Sequence, residues 1–261
     1  MGQIAAFASG KGGAGKTTLC ANIGAALAQL GKRVLLIDLD IGLRNLDLTL
    51  GLQSVIVYDL TDVYEGKMDL FDAAYRFSDY GELYFLPAAQ TIDKEDLDKD
   101  AFLKFLDGIK DKFDFILLDC PAGIETGLKN ALMASDIFIA VVNPDYASLR
   151  DADKALSVAE EYGIKKQCAI INKFNIKLIR KGIAPNVDEI LEKLGVPLLG
   201  IVCDDPENLK FQALGKLIIG NPKKKMSKNI KNCAKRLTGE KINIKIKWRV
   251  YKKTLNNSAS E

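Results

Sequence analysis

The sequence predicts an α/β fold: a single doubly wound, mostly parallel sheet with helices on both faces. Three observations carry that expectation. Short β-type runs alternate with helical segments along the 261 residues, the pattern that crossover connections between parallel strands require. Most of these runs are near-continuous in Val, Ile, Leu, Phe and Ala, the composition of strands buried on both faces. The residues that carry chemistry follow the carboxyl ends of those runs, where open α/β sheets place their ligands.

The first strand is Ile4–Ala8. It runs into Gly10-Lys11-Gly12-Gly13-Ala14-Gly15-Lys16-Thr17-Thr18 and then into a helix over Thr17–Leu30. The spacing Gly10-x4-Gly15-Lys16-Thr17 suits a loop whose backbone N–H groups surround a phosphate chain. Lys16 is placed to reach the β- and γ-phosphates, and the Thr17 hydroxyl to sit on Mg²⁺. The helix that follows adds its N-terminal dipole. Gly10, Gly12 and Gly15 also spell the dinucleotide fingerprint, with Asp38 at a suitable distance. A dinucleotide fold has no task for Lys16-Thr17, whereas a nucleoside triphosphate with Mg²⁺ uses both. A glycine-rich turn without a ligand is the blander alternative. Lys11 is one lysine more than such a loop requires.

The second strand, Val34–Asp38, ends in Asp38-Leu39-Asp40. Two alternating carboxylates at a strand end suit Mg²⁺ or its water shell and the orientation of an attacking water. A strand at Leu83–Leu86 and a helix over Leu97–Lys112 lead to Phe113–Asp119, a buried strand closed by an acid. That is the Walker-B pattern, which would bring Asp119 near the Mg²⁺ site of Thr17. Gly123 follows Cys120-Pro121-Ala122 and allows the backbone to approach a γ-phosphate. Helix Thr126–Ala134, strand Ile137–Asn143, helix Ser148–Tyr162, strand Cys168–Asn172, helix Val187–Leu194, strand Leu199–Cys203 and helix Ser227–Leu237 complete the alternation. Asn172-Lys173 could offer amide contacts to a base. The guanine-reading N-K-x-D motif needs Asp where this chain has Asn175, which leans towards adenine.

Composition bounds the rest. No apolar run has the length of a membrane span. Strand, loop and helix begin almost at once, so no leader peptide is expected, and Ala6 stands where myristoylation needs Ser or Thr. Five scattered cysteines without a C-x-x-C pair suit a reducing cytosol rather than a disulfide framework or structural zinc. With no histidine, a general base must be a carboxylate, a lysine or a positioned water. Residues 221–261 hold thirteen Lys or Arg against Glu240 and Glu261, a net +11 that leaves −8 for the remainder. That end calls for an anionic partner.

The loop with Lys11 ahead of Lys16 resembles the deviant Walker A loop of the ParA/MinD ATPases. Asp38–Asp47 (D-L-D-I-G-L-R-N-L-D) and Asp119–Gly127 (D-C-P-A-G-I-E-T-G) resemble the septum-site-determining branch. So do Pro87-Ala88-Ala89-Gln90-Thr91 and Val142-Asn143-Pro144 with Arg150-Asp151-Ala152-Asp153. The likeness spans roughly residues 1–220 and implies an ATPase domain there. It implies an ATP-dependent homodimer in which Lys11 crosses to the partner's phosphates, in the manner of an arginine finger. Lys16 would then hold its own subunit's phosphates. Thr17 would ligate Mg²⁺, with Asp38 supporting the metal region and Asp119 as the Walker-B carboxylate. Asp40 would position water. Asn45 and Asp47 would belong to one switch, Gly123 to Gly127 to the other. Asn172 and the Asp204-Asp205-Pro206-Glu207 turn would flank adenine, although the family commonly starts that turn with Pro where this chain has Cys203. The implied partners are a MinC-like division inhibitor, a MinE-like activator and the cytoplasmic face of the inner membrane.

Residues 221–240 read as a basic helix of the same domain, and 241–261 as a membrane-targeting tail. Family members end in an amphipathic helix. Here Ile242, Ile244, Ile246, Trp248 and Val250 share one face at a strand step, so alternation favours an extended segment. Apolar residues with Trp and Tyr among lysines suit an anionic bilayer, against the alternative of a disordered basic tail. Two other functions compete. A DNA-segregation ATPase would bind duplex non-specifically through the basic end. An iron–sulfur carrier sharing this loop would need paired cysteines, which this spacing does not suggest.

Overall fold

The computed structural model describes residues 1–41, 45–52, 56–89 and 97–244. Its strands are β1 (Gln3–Ala8), β2 (Val34–Asp38), β3 (Tyr75–Arg76), β4 (Leu83–Leu86), β5 (Phe115–Asp119), β6 (Ile137–Val142), β7 (Lys166–Phe174) and β8 (Leu198–Cys203). They form one sheet in the order β3-β4-β2-β5-β1-β6-β7-β8. Every pairing is parallel except β3 with β4. The helices are α1 (Lys16–Gln29), α2 (Asn45–Leu50), α3 (Leu60–Tyr64), α4 (Leu70–Ala73), α5 (Lys99–Ile109), α6 (Thr126–Ala134), α7 (Tyr146–Glu161), α8 (Ile176–Arg180), α9 (Val187–Leu194), α10 (Glu207–Ala213) and α11 (Lys225–Leu237).

The near-continuous apolar strands do serve two cores. Along β1, Ile4, Ala6 and Ala8 pack with α5, α6, α7 and α9 on one face, while Ala5 and Phe7 pack with α1 and α11 on the other. Such two-sided burial leaves the strands' ends as the places where polar residues can gather. Asp38 and Asp119 do so as register partners at the ends of β2 and β5.

Several boundaries differ from the sequence expectation for identifiable reasons. Helix α7 starts at Tyr146 rather than Ser148, because Asp145 caps it by accepting the Ser148 N–H. Asp98 caps α5 through the Ala101 N–H, which moves that start from Leu97 to Lys99, and the last turn over Lys110–Lys112 tightens to 3-10 geometry. Strand β5 begins at Phe115 rather than Phe113; Phe113 instead meets the rings of Phe71 and Tyr84. The two-residue strand β3 and the short helices α2, α3, α4, α8 and α10 carry too little periodicity to be read from sequence.

Helix α11 buries Met226, Ile230, Cys233 and Ala234 and leaves Lys223 before it, and Lys225, Lys228 and Lys231 within it, exposed. In its last turn, Arg236 bridges two carbonyls, donating from Nη1 to Leu199 on β8 (2.8 Å) and from Nε to Ile242 (2.9 Å). Residues 241–244 take neither helix nor strand. The rest of the proposed tail, together with Gly42, Leu43, Arg44, Gln90 and Thr91, lies outside the described residues.

Candidate nucleotide site

The loop between β1 and α1 turns at two glycines in the left-handed region, Gly13 (φ 79) and Gly15 (φ 88). Gly10 meets a different demand: a Cβ there would run into the Asp151 side chain and backbone on α7. A Cβ on Gly15 would strike the Asn172 amide. The loop is therefore clamped between α7 and the end of β7, and its glycines are fixed by close approach as well as by dihedral angle.

Lys16 extends from the first turn of α1 beneath this loop and donates to Asp119 Oδ1 at 2.8 Å. Both side chains are almost fully buried, 7% and 0% exposed. Burial pulls the Lys16 ammonium down, but the Asp119 charge and hydrogen bond outweigh it, so its pKa is raised and it stays cationic. Asp119 is pushed up by burial, with Lys16 opposing. Its second oxygen, Oδ2, is buried and has no hydrogen-bond partner among the described residues. Asp38 accepts the N–H of Asp40 (2.8 Å) on one oxygen and that of Leu46 (3.2 Å) on the other. It thus sets the backbone that leads from β2 into α2. Asp40 receives the Asn45 side-chain amide at 3.3 Å.

Burial, followed by the Asp119 charge, pushes Asp38 up from 3.8 to about 8. The two neighbouring carboxyls share one buried cation, Lys16, and so hold on to protons, and one oxygen has no partner among the described residues. This donor set fits a divalent cation. It also sets a pH dependence. A carboxyl whose folded pKa is raised gives stability that is full below its unfolded value and is lost as pH rises through the folded one. The nucleotide-free protein should therefore lose about 2 kcal/mol, or roughly 5 °C in Tm, between about pH 6 and pH 8. Mg²⁺ with ADP should restore more at the higher pH. Differential scanning calorimetry checks this, and a flat Tm would contradict it.

A cavity of about 850 Å³ opens over the loop. Gly12, Gly13, Ala14, Gly15, Lys16, Thr17 and Thr18 form one wall, Asp40 and Asn45 another, and Asn172 with Asp204, Asp205 and Pro206 the far side. The structure thus gathers most of the residues singled out from sequence. Five candidate site residues lie outside these walls, Asp38 and Asp119 at the ends of β2 and β5 among them. Gly10 packs on α7. The Gly123 N–H is taken by the Ser9 carbonyl at 3.1 Å. Lys11 turns away from its own cradle and meets Asp145 at 3.4 Å, with both side chains somewhat under half exposed.

Asn172 also does more than face a base, since its amide nitrogen donates to the Ala14 carbonyl at 2.8 Å. Residues missed in the sequence include Gln212, which donates to the Thr18 hydroxyl at 2.8 Å, and Asn208, whose buried Oδ1 has no partner among the described residues. Both stand on α10, behind the Asp204–Glu207 turn. An acidic pair before Pro is a helix-start signal that could have revealed it. Cys120 is a buried thiol raised by burial, as a packing residue would be.

A family profile described as an AAA domain matches residues 2–169. The septum site-determining protein MinD of Bacillus subtilis is 42% identical over 248 residues, covering 94% of this chain and 92% of that protein. The chain belongs to the MinD family. MinD of Thermotoga maritima is 36% identical over 93% of this chain and 90% of its own length. Among solved structures, the MinC:MinD cell division protein complex of Aquifex aeolicus matches with a TM-score of 0.87 and 39% identity, over 94% of this chain and 98% of that one. MinD of Pyrococcus horikoshii, complexed with Mg-ADP, gives 0.80 and 30%, over 91% and 96%. A ParA family ATPase from Chlorobium tepidum, 24% identical with a TM-score of 0.77, shares the fold.

Proposed function

We propose that this chain is an ATP-hydrolysing switch. It dimerises with ATP, binds the cytoplasmic face of the inner membrane and governs septum placement by recruiting a MinC-like inhibitor, with a MinE-like activator resetting it. The observation that carries the reading is the buried Lys16–Asp119 pair at the base of a cavity walled by the phosphate loop. Kinship to a protein solved with MinC and to another solved with Mg-ADP supports the partner and the cofactor.

In this reading the loop from Gly10 to Thr18 cradles the phosphates. Lys16 leaves Asp119 to meet them. Thr17 and Asp119 would hold Mg²⁺, and Asp38 fixes the segment beside it. Bound Mg²⁺ would supply charge neutralisation of the β- and γ-phosphate oxygens. Asp40, aimed by Asp38 and held by Asn45, positions the attacking water. Gly123 releases Ser9 to approach the γ-phosphate. Asn172, Asp205 and Pro206 border the adenine. Lys11 swings from Asp145 to the partner's phosphates, for which a rim position outside its own cradle is suitable.

Residues 1–220 form the ATPase domain, 221–240 its basic helix and 241–261 the membrane segment. No described helix is long and apolar enough to cross a bilayer, so attachment would be peripheral. Of the exposed lysines of α11, Lys225 lines a groove with Ile242, Asn243 and Ile244 at the anchored root of the tail. Each basic residue near an anionic surface contributes about 1 kcal/mol, and dimerisation doubles the anchor.

Co-sedimentation with anionic liposomes and with duplex DNA, each with ATP or ADP, tests this reading. Liposome binding should require ATP and be lost on deleting residues 241–261. ATP-dependent, salt-sensitive DNA binding without liposome binding would instead make the chain a ParA-type segregation ATPase.

A further inference from the structure

Strand β7 ends in Asn172-Lys173-Phe174, and Lys173 has φ 50, the sole positive φ of a non-glycine residue among those described. A lysine is disfavoured in this region by roughly 1 kcal/mol or more. The conformation turns the side chain back over the phosphate loop, where Nζ donates to the Gly13 carbonyl at 2.7 Å. The preceding Asn172 captures the next carbonyl along, that of Ala14, at 2.8 Å. Two consecutive side chains thus hold two consecutive loop carbonyls. In a trans peptide the N–H points opposite to the C=O. Fixing the carbonyls of Gly13 and Ala14 towards β7 therefore aims the N–H groups of Ala14 and Gly15 to the other side. Flanking glycines in the left-handed region leave these peptide planes free to rotate unless something holds them.

We propose that Lys173 is a positioning residue that sets the peptide planes of the phosphate loop, so that it contributes to phosphate recognition rather than to recognition of the nucleoside. The inference rests on the nucleotide-binding reading above. Lys173 also lines the cavity, so direct packing of its alkyl chain on the nucleoside is the competing role. The side chain makes its carbonyl contact from that conformation. Lys173 is exposed, so its replacement leaves the core intact.

The test measures ADP affinity by titration calorimetry and pyrophosphate affinity by displacement of fluorescent ADP. It uses the full chain and its Lys173→Met, Lys173→Arg and Lys173→Gly variants. Lys173→Met should weaken ADP and pyrophosphate by the same factor, roughly three- to tenfold. Lys173→Arg should retain most of the affinity. Lys173→Gly should match Met in affinity while raising the Tm of the nucleotide-free protein, because it relieves the dihedral. A loss for ADP without a loss for pyrophosphate would show that Lys173 acts on the nucleoside and overturn the proposal, as would unchanged ADP affinity in Lys173→Met. Failure of the unaltered chain to bind ADP would overturn the nucleotide reading itself.

Discussion

Replacing Lys16 with Met should abolish useful nucleotide binding, with ATP and ADP affinities falling at least ~100-fold, the worth of two charge-assisted hydrogen bonds to phosphate. The same change should weaken the fold. Lys16 is the cation at hydrogen-bond distance from the fully buried Asp119, and breaking a buried pair from one side typically costs about 3–5 kcal/mol. Asp119 can escape part of this penalty by taking a proton, since burial already pushes its pKa up. The stability loss should accordingly be larger at pH 8 than at pH 6. Combining Lys16→Met with Asp119→Asn separates the two roles: the neutral pair should regain stability without regaining affinity. Calorimetric titration and thermal unfolding read the two quantities independently. A single variant that kept ADP affinity would remove Lys16 from the phosphate site.

Lys11→Ala should behave in the opposite way. Its ion pair with Asp145 is nearly half exposed, and such solvent-reached pairs contribute about 0–1 kcal/mol, so the fold should hardly change. ATP affinity should fall little, because Lys11 does not line its own cavity. Turnover of the activated dimer should drop by roughly 1,000-fold, the range in which a cation supplied in trans acts on phosphoryl transfer. Steady-state phosphate release checks this, with ATP binding measured on the same preparation. Turnover equal to that of the unaltered chain would dispose of the role.

The two lysines differ in how legible they were. The role of Lys16 follows from local spacing, because a strand, a loop and a helix start fix its direction. Asp38 and Asp119 were equally visible as acids ending apolar strands, and the register that sets them side by side follows from parallel pairing of β2 with β5. Lys11 stood out as surplus, yet its direction depends on α7 and on Asp145, more than a hundred residues away. The constraint on Gly10 is of the same kind, since Asp151 imposes it across the fold. Helix α10 escaped notice because seven residues give a helical period too few repeats. The left-handed turn at Lys173 had no sequence signal, as lysine is not a residue that advertises positive φ. Local motifs therefore located the phosphate chemistry, while the packing that aims it became visible only in three dimensions.

In the proposed function, hydrolysis belongs to two subunits. Mixing Lys11→Ala with Asp40→Ala tests it most directly. Neither homodimer should hydrolyse ATP. In a mixed dimer the Lys11→Ala subunit keeps its own Asp40 and receives Lys11 from its partner, so one site is complete. An equal mixture should recover about a quarter of the unaltered turnover, since half the dimers are mixed and each has one complete site of two. A mixture as inactive as its components, with dimer formation verified, would contradict a lysine acting in trans.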